Sequence, residues 1–175
     1  MKSKQSELTL FHDSKRFKQA GLIHIVAASH AVYAICFERE LEGVYKRLSK
    51  KYKLTIIEKS NLQTKKALKQ LDEYFTQKRT KFDLNIELIG TDFQKKVWNV
   101  LSKIPYGETT TYKNIGLKLK IKNGFQAIGQ ANRANPVCLV LPCHRVISST
   151  GQLSGYIGGA GLKSYLLSLE SAKIK

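Results

Sequence analysis

The sequence predicts an α+β chain of two small domains, and three observations carry that reading. The first half places short β-branched runs beside stretches with helical spacing of apolar residues. A polar, charged segment, QKRTKFDLN at residues 77–85, then separates the halves. The second half reads as a succession of capped helices. The 175 residues, 42 % of them hydrophobic, suffice for one ordinary domain or two small ones. The boundary is set here between residues 85 and 86, giving domains 1–85 and 86–175.

Residues 1–20 are basic and weakly patterned, and no element is assigned to them. GLIHIVAASHAVYAICFE (21–38) reads as two strands broken near Ser29-His30. A short helix is expected over 40–51, with Leu41, Val44 and Leu48 on one face and Lys or Arg on the other. KLTIIEK (53–59) is a third strand. Over 62–78, Leu68, Leu71 and Phe75 recur at helical spacing against Lys65, Lys66 and Lys69. His12, His24 and His30 lack the spacing of a metal site, and no metal or organic cofactor is expected.

Beyond the connection, Leu84, Ile86 and Leu88 alternate with Asn85 and Glu87, a short extended segment. Thr91-Asp92-Phe93-Gln94 reads as a capping box, in which the Thr hydroxyl and the Gln side chain satisfy free N–H groups of a helix start. That helix carries Phe93, Val97, Val100, Leu101 and Ile104 on one stripe and stops at Pro105-Tyr106-Gly107. Thr111 can cap a shorter helix with Ile115 and Leu119 facing inward. A turn at Asn123-Gly124 leads into a third helix, Phe125 to about Ala134, ended by Asn135-Pro136. A C-terminal helix spans 162–171.

Lys and Arg number 30 against 13 Asp and Glu, a formal net charge of +17. Such an excess points to a polyanionic partner, nucleic acid first and an anionic membrane surface second. It is shared by both halves, 18 basic against 9 acidic side chains in residues 1–85 and 12 against 4 in 86–175. No run approaches the ~18 apolar residues of a membrane span, and the start has no signal-peptide apolar core. A cytosolic protein is expected, nuclear if the source is a eukaryote. Two short helices joined by a Gly-containing turn make a helix-turn-helix candidate. Ala127, Gly129 and Ala131 leave one side of its second helix nearly bare. That side suits close packing within the protein or close approach to a nucleic-acid groove.

The sharpest chemical feature is Leu141-Pro142-Cys143-His144-Arg145-Val146. Only the thiolate of a cysteine is a strong nucleophile, and at an ordinary pKa about 3 % is ionised at neutral pH. A nearby imidazole can take the proton, and a carboxylate can orient that imidazole. Cys143 and His144 are adjacent in an expected extended segment, so their side chains point apart and a bridging water is the natural link. Glu170 and Glu108 are the two glutamates beyond Glu87, and Glu170, on the last helix, is the better orienting acid. A buried thiol beside a surface imidazole is the plain alternative for this dipeptide. Cys36 and Cys138 read as small buried hydrophobes.

The run NPVCLVLPCHRVI, followed by SSTGQLSGYIGGAGLKSYLLSLE, resembles the active-site region of the O6-alkylguanine-DNA alkyltransferases (methylated-DNA–protein-cysteine methyltransferases). The likeness begins near Gly90 with GTDFQKKVWNVLSKIPYGETTTY, continues through AIGQANRANP and runs to Glu170. It implies a ribonuclease-H-like α/β domain first, then a winged-helix-like, mostly helical domain containing the helix-turn-helix. By this resemblance Cys143 accepts the alkyl group, His144 acts as its base through a water, and Glu170 fixes the imidazole. Asn135 ties the recognition helix to the active-site strand, and Tyr112 donates a proton toward guanine N3. The carbonyls of Cys143 and Val146 receive the guanine amine, Tyr156 walls the pocket, and the Ile157 N–H serves O6. Ala127 to Arg133, with Gln126 and Gly129, lies in the minor groove. The implied partner is double-stranded DNA containing O6-alkylguanine, met by a monomer, with O4-alkylthymine as a second lesion open to the same chemistry. Because a thioether has no internal route back to a thiol, each molecule acts once.

Four positions depart from the family pattern. Gln126 stands where an Arg wedge is usual, Ile157 where a small polar residue is, Cys138 where some relatives have Pro, and Ser154 where they have Gly. Three rival readings stay open: a non-catalytic alkylguanine-binding protein, a basic winged-helix regulator with a sensor thiol, and a Cys–His hydrolase. The first lacks an acceptor cysteine, the second needs a further domain, and the third turns over.

Overall fold

The computed structural model of the chain describes residues 5–121, 124–153 and 155–171. Contacts divide it into two units, residues 1–89 and 90–175, each with its own core. Its make-up is mixed α/β.

The first unit is built on a four-stranded sheet in the order β3-β2-β1-β4. Its strands are β1 (Ser6–Phe17), β2 (Gly21–Ala27), β3 (Val32–Phe37) and β4 (Tyr52–Ile57). β1 pairs antiparallel with β2 and parallel with β4. This 12-residue strand corrects the reading of residues 1–20 as weakly patterned and without an element. Its polar residues, from His12 to Arg16, hide the alternation, and partners on both sides supply what local propensity lacks.

One sheet face, with Leu10, Val26, Ala34 and Cys36, is covered by Val44 and Leu48 of α1 (Leu41–Ser49). The register turns Lys15 and Phe17 to the other face. There they meet Asp72 and Phe75 of α2 (Leu62–Phe75), the first by an ion pair and the second by ring contact. Asn61 caps α2. The buried stripe of α2 is Thr64, Ala67, Gln70, Leu71 and Tyr74, so the predicted stripe of Leu68, Leu71 and Phe75 was one step off. Leu68 and Phe75 are its half-buried margins. The offset follows from Gln70, a polar residue buried because its amide exchanges two 2.8 Å hydrogen bonds with the backbone of Asp83. On the α1 side, Glu58 bonds His12 Nδ1 at 2.6 Å, and His12 Nε2 meets His24 Nδ1 at 2.8 Å.

The second unit opens on the expected capping box. The Thr91 hydroxyl accepts from Gln94 N, and Gln94 Oε1 accepts from Thr91 N, at the start of α3 (Asp92–Leu101). Trp98, fully buried and absent from the predicted stripe, donates from its indole N–H to Ala131 O at 2.9 Å and joins α3 to α5. Thr111 caps α4 (Tyr112–Lys118), and α5 (Phe125–Arg133) packs on it. Gly124 precedes α5, while Asn123 of the predicted turn lies outside the described residues. A two-stranded ladder, β5 (Thr110–Thr111) with β6 (Val146–Ile147), and α6 (Ala160–Leu169) complete the unit.

Candidate active site

Cys143, His144 and Arg145 form one turn of 3₁₀ helix, held by Cys143 N to Leu141 O at 2.8 Å and Arg145 N to Pro142 O at 3.0 Å. The extended segment expected from sequence is therefore a turn. Pro142 offers no N–H to a strand ladder, and its fixed φ of −80° leads into the bend. The Cys143 sulfur is buried, with 1 % of the residue exposed. Asn135, just after α5, sets its position: its Nδ2 donates to Sγ at 3.1 Å and to Leu141 O at 2.7 Å, and its Oδ1 accepts from Val137 N at 3.0 Å.

The Cys143 thiol is held below its ordinary pKa, first by a hydrogen bond from the Cys138 thiol. Burial opposes that shift, and Asn135, the backbone N–H of Cys143 and the Lys163 charge add to it. Cys138 was read as a small buried hydrophobe. It is buried, but it is also a polar neighbour of the Cys143 sulfur, with its own Sγ 3.9 Å from Asn135 O.

Glu170 caps α6 and gathers the next layer. Its Oε1 accepts from His144 Nε2 at 2.8 Å and Arg145 Nη2 at 3.0 Å, and its Oε2 from Arg145 Nε at 2.7 Å. Burial alone would raise this carboxyl, but His144 and Arg145 bring its pKa down to about 2. An ionised Glu170 can only accept, so His144 Nε2 carries a proton and Nδ1 presents its lone pair. That Nδ1 is buried with no hydrogen-bond partner among the described residues. Burial lowers the His144 pKa against the pull of Glu170, which keeps the ring neutral and able to take a proton.

Arg145 was not singled out in the sequence as more than part of the motif. Buried, it also donates from Nη1 to Ile104 O at 2.7 Å and stacks its guanidinium over Tyr106, 5.7 Å from the ring centroid. Pro105-Tyr106-Gly107, read as a helix stop, is thus the wall of an ion-pair site. Lys163 was missed too. It is 1 % exposed, donates to Val146 O at 2.7 Å, and has its pKa lowered by burial. A cation one turn into an apolar helix looks solvent-facing in a sequence, and only the tertiary fold shows otherwise.

Tyr112 begins α4. Its phenol pKa is raised by burial and by the charge of Cys143, against a hydrogen bond with Asn132. Tyr156 is buried with its ring edge toward His144, at 6.3 Å between centroids. Gly158 makes room for that ring, since a Cβ there would stand 2.6 Å from Tyr156 Cε1. The Val146 carbonyl accepts from Lys163 at 2.7 Å, and that of Cys143 accepts from the Val146 N–H and, at 3.4 Å, from Asn132 Nδ2. Ile157 is half-buried, and Ser154 lies outside the described residues. On α5, Gln126, Ala127 and Arg133 are exposed and Gly129 is half-buried. Ala131 is 3 % exposed, so the bare side drawn through Ala127, Gly129 and Ala131 is not one face. Residues two apart on a helix lie about 200° apart. Among the described residues no group of three or more His, Cys, Asp and Glu is placed to hold a metal ion.

A buried cysteine of lowered pKa beside a carboxylate-oriented imidazole defines a thiol-nucleophile centre. The family described as 6-O-methylguanine DNA methyltransferase, DNA binding domain, matches residues 92–172. A methylated-DNA–protein-cysteine methyltransferase of Methanosarcina barkeri is 46 % identical over 111 residues, 63 % of this chain and 70 % of that one. Its counterpart in Methanosarcina acetivorans is 44 % identical over 108 residues, 62 % and 69 % of the two chains. Mycobacterium tuberculosis OGT, solved in complex with DNA, superposes with a TM-score of 0.79 at 31 % identity, over 92 % of each chain. The chain belongs to the methylated-DNA–protein-cysteine methyltransferase family.

Proposed function

We propose that this chain repairs DNA by direct, irreversible transfer of the alkyl group of O6-alkylguanine to Cys143, with O4-alkylthymine as a second lesion of the same chemistry. Family membership supports the reaction, and the crystal complex of its mycobacterial relative with DNA supports the partner. The observation that carries the assignment of residues is the buried Cys143 sulfur, held by Asn135 at 3.1 Å, followed in the same turn by His144 anchored on Glu170 at 2.8 Å.

In this reading His144 Nδ1 takes the Cys143 proton through a water. The thiolate attacks the alkyl carbon, the carbon–oxygen bond breaks, and its electron pair stays on the guanine. Tyr112, whose raised pKa keeps the phenol protonated, gives its proton to N3 of the departing base. The phenol is reprotonated from the imidazolium, so protons and charge balance. The Val146 carbonyl and that of Cys143, the latter in exchange for its long 3.4 Å bond from Asn132, receive the exocyclic amine, the Ile157 N–H serves O6, and Tyr156 walls the pocket. Guanine O6 lies within the base stack, so the nucleotide must be rotated out, at a cost of a few kcal/mol.

We assign the DNA-binding and alkyl-acceptor role to residues 86–175, a winged-helix-like unit with α4 and α5 as helix-turn-helix and the exposed Gln126, Ala127 and Arg133 in the minor groove. The parallel β1–β4 pair beside two antiparallel pairs supports a ribonuclease-H-like first domain. The protein would act as a monomer where the DNA is, in the cytosol or a eukaryotic nucleus. No described helix is long and apolar enough to cross a membrane.

Intact-mass analysis after incubation with O6-methylguanine DNA tests this. The expected result is a gain of one methyl group, at most one per molecule, located on Cys143 and abolished by Cys143→Ala with DNA affinity retained. Methylation on Cys36 or Cys138 with Cys143 unmodified would overturn it.

A further inference from the structure

Phe125 opens α5 and is 47 % exposed, although a ring of that size is ordinarily buried. It leans on α4, where a Cβ on Gly116 would lie 3.4 Å from its Cε1. The ring is propped from one side and open to solvent on the other. Leu117, beside Gly116, is 65 % exposed. Lys113 and Lys118 of α4 and Lys120 just after it are exposed too, in a chain of net charge +17. The next residue, Gln126, is exposed as well.

We infer that Phe125 is the wedge that enters the base stack of duplex DNA where a nucleotide has been rotated out. The inference rests on the proposed function, in which α5 meets the minor groove. An extruded nucleotide leaves a gap one base thick, and its neighbours lose a stacking face. A phenyl ring restores that face and carries no polar group that must shed water on entry. Proteins that bend and open duplexes from the minor groove insert Phe, Leu, Ile, Met or Pro between base steps for this reason. Gln126 is a poorer filler, because its amide loses hydration in the stack and its side chain must be frozen from several rotamers. A wedge also needs support, which packing on α4 at Gly116 supplies, and the exposed lysines of α4 suit phosphates of the duplex.

The test compares wild type, Phe125→Ala and Phe125→Leu in single-turnover transfer from O6-methylguanine in a duplex and in a single strand. Thermal midpoints of the three proteins are recorded alongside. Base–aromatic stacking sets the expected size: Phe125→Ala lowers the duplex-to-single-strand rate ratio at least about fivefold. Phe125→Leu, an apolar wedge without an aromatic face, falls between the two. An unchanged ratio in Phe125→Ala overturns the wedge, as does an equal slowing on both substrates. Wild type that transfers from neither substrate overturns the proposed function itself. The Leu variant keeps the test decisive if Phe125→Ala is too unstable to assay.

Discussion

A thiol donates only a weak hydrogen bond, but beside a buried sulfur it favours the charged form. Cys138 holds that place next to Cys143. Cys138→Ala is expected to raise the pH midpoint of transfer and to slow the reaction at neutral pH, about tenfold for each unit of upward shift. Cys138→Ser, which keeps a donor, should recover most of the loss. A pH–rate profile for the three proteins decides the matter, and superimposable profiles would remove Cys138 from the account. Residues of this kind are where the sequence was least readable. Cys143, His144 and Glu170 could be nominated because a nucleophile, a base and an acid are recognisable as types. Cys138, Arg145 and Lys163 act through burial and direction, which no periodicity records.

The end of α6 and the turn carrying Cys143 are joined by an ion pair with both side chains buried, Glu170 with Arg145. Removing one partner of such a pair leaves a charge stranded in a medium that solvates it poorly, at a typical cost of 3–5 kcal/mol. Arg145→Met should therefore lower the unfolding free energy measured by urea titration by about that much and slow transfer, since Glu170 would no longer be held against His144. An unfolding free energy within about 0.5 kcal/mol of wild type would show that the site relaxes freely. Elements with local signatures were legible. The box at Thr91 and Gln94, the cap at Thr111 and the stops at Pro105 and Pro136 each state their physics within four or five residues. β1 was not legible, because its pairing with β2 and β4 overrides a run containing His12, Asp13, Lys15 and Arg16. The exposed side of α5 is not legible from residue size, because Ala127, Gly129 and Ala131 follow one another at steps of about 200° and do not share a face.

For the molecule as a whole, charge and pH set two expectations. With +17 and little on α5 to read base edges, binding to undamaged duplex should be indifferent to sequence. The log affinity should fall with log salt at about −0.9 per phosphate neutralised, and a salt titration with a slope near zero would contradict this. Stability should rise with pH. Burial lowers the pKa of both His24 and His144 from 6.5, so the unfolded chain binds protons more readily, and stability declines as pH falls below that value. Glu170, lowered from 4.5 to about 2, adds a second decline over that lower window. Equal urea midpoints at pH 7.5 and 5 would refute the histidine part. Trp98 supplies a way to watch one unit alone. It is the chain's single tryptophan, and its indole is buried and tied to Ala131 of α5. Light absorbed at the red edge of the protein spectrum is therefore emitted from one place, inside residues 90–175. Its colour follows the wetting of that core, and its intensity should respond when DNA docks on α5. Far-ultraviolet dichroism averages both units, so a denaturation curve followed by emission that parts from one followed by dichroism would reveal two units melting in succession.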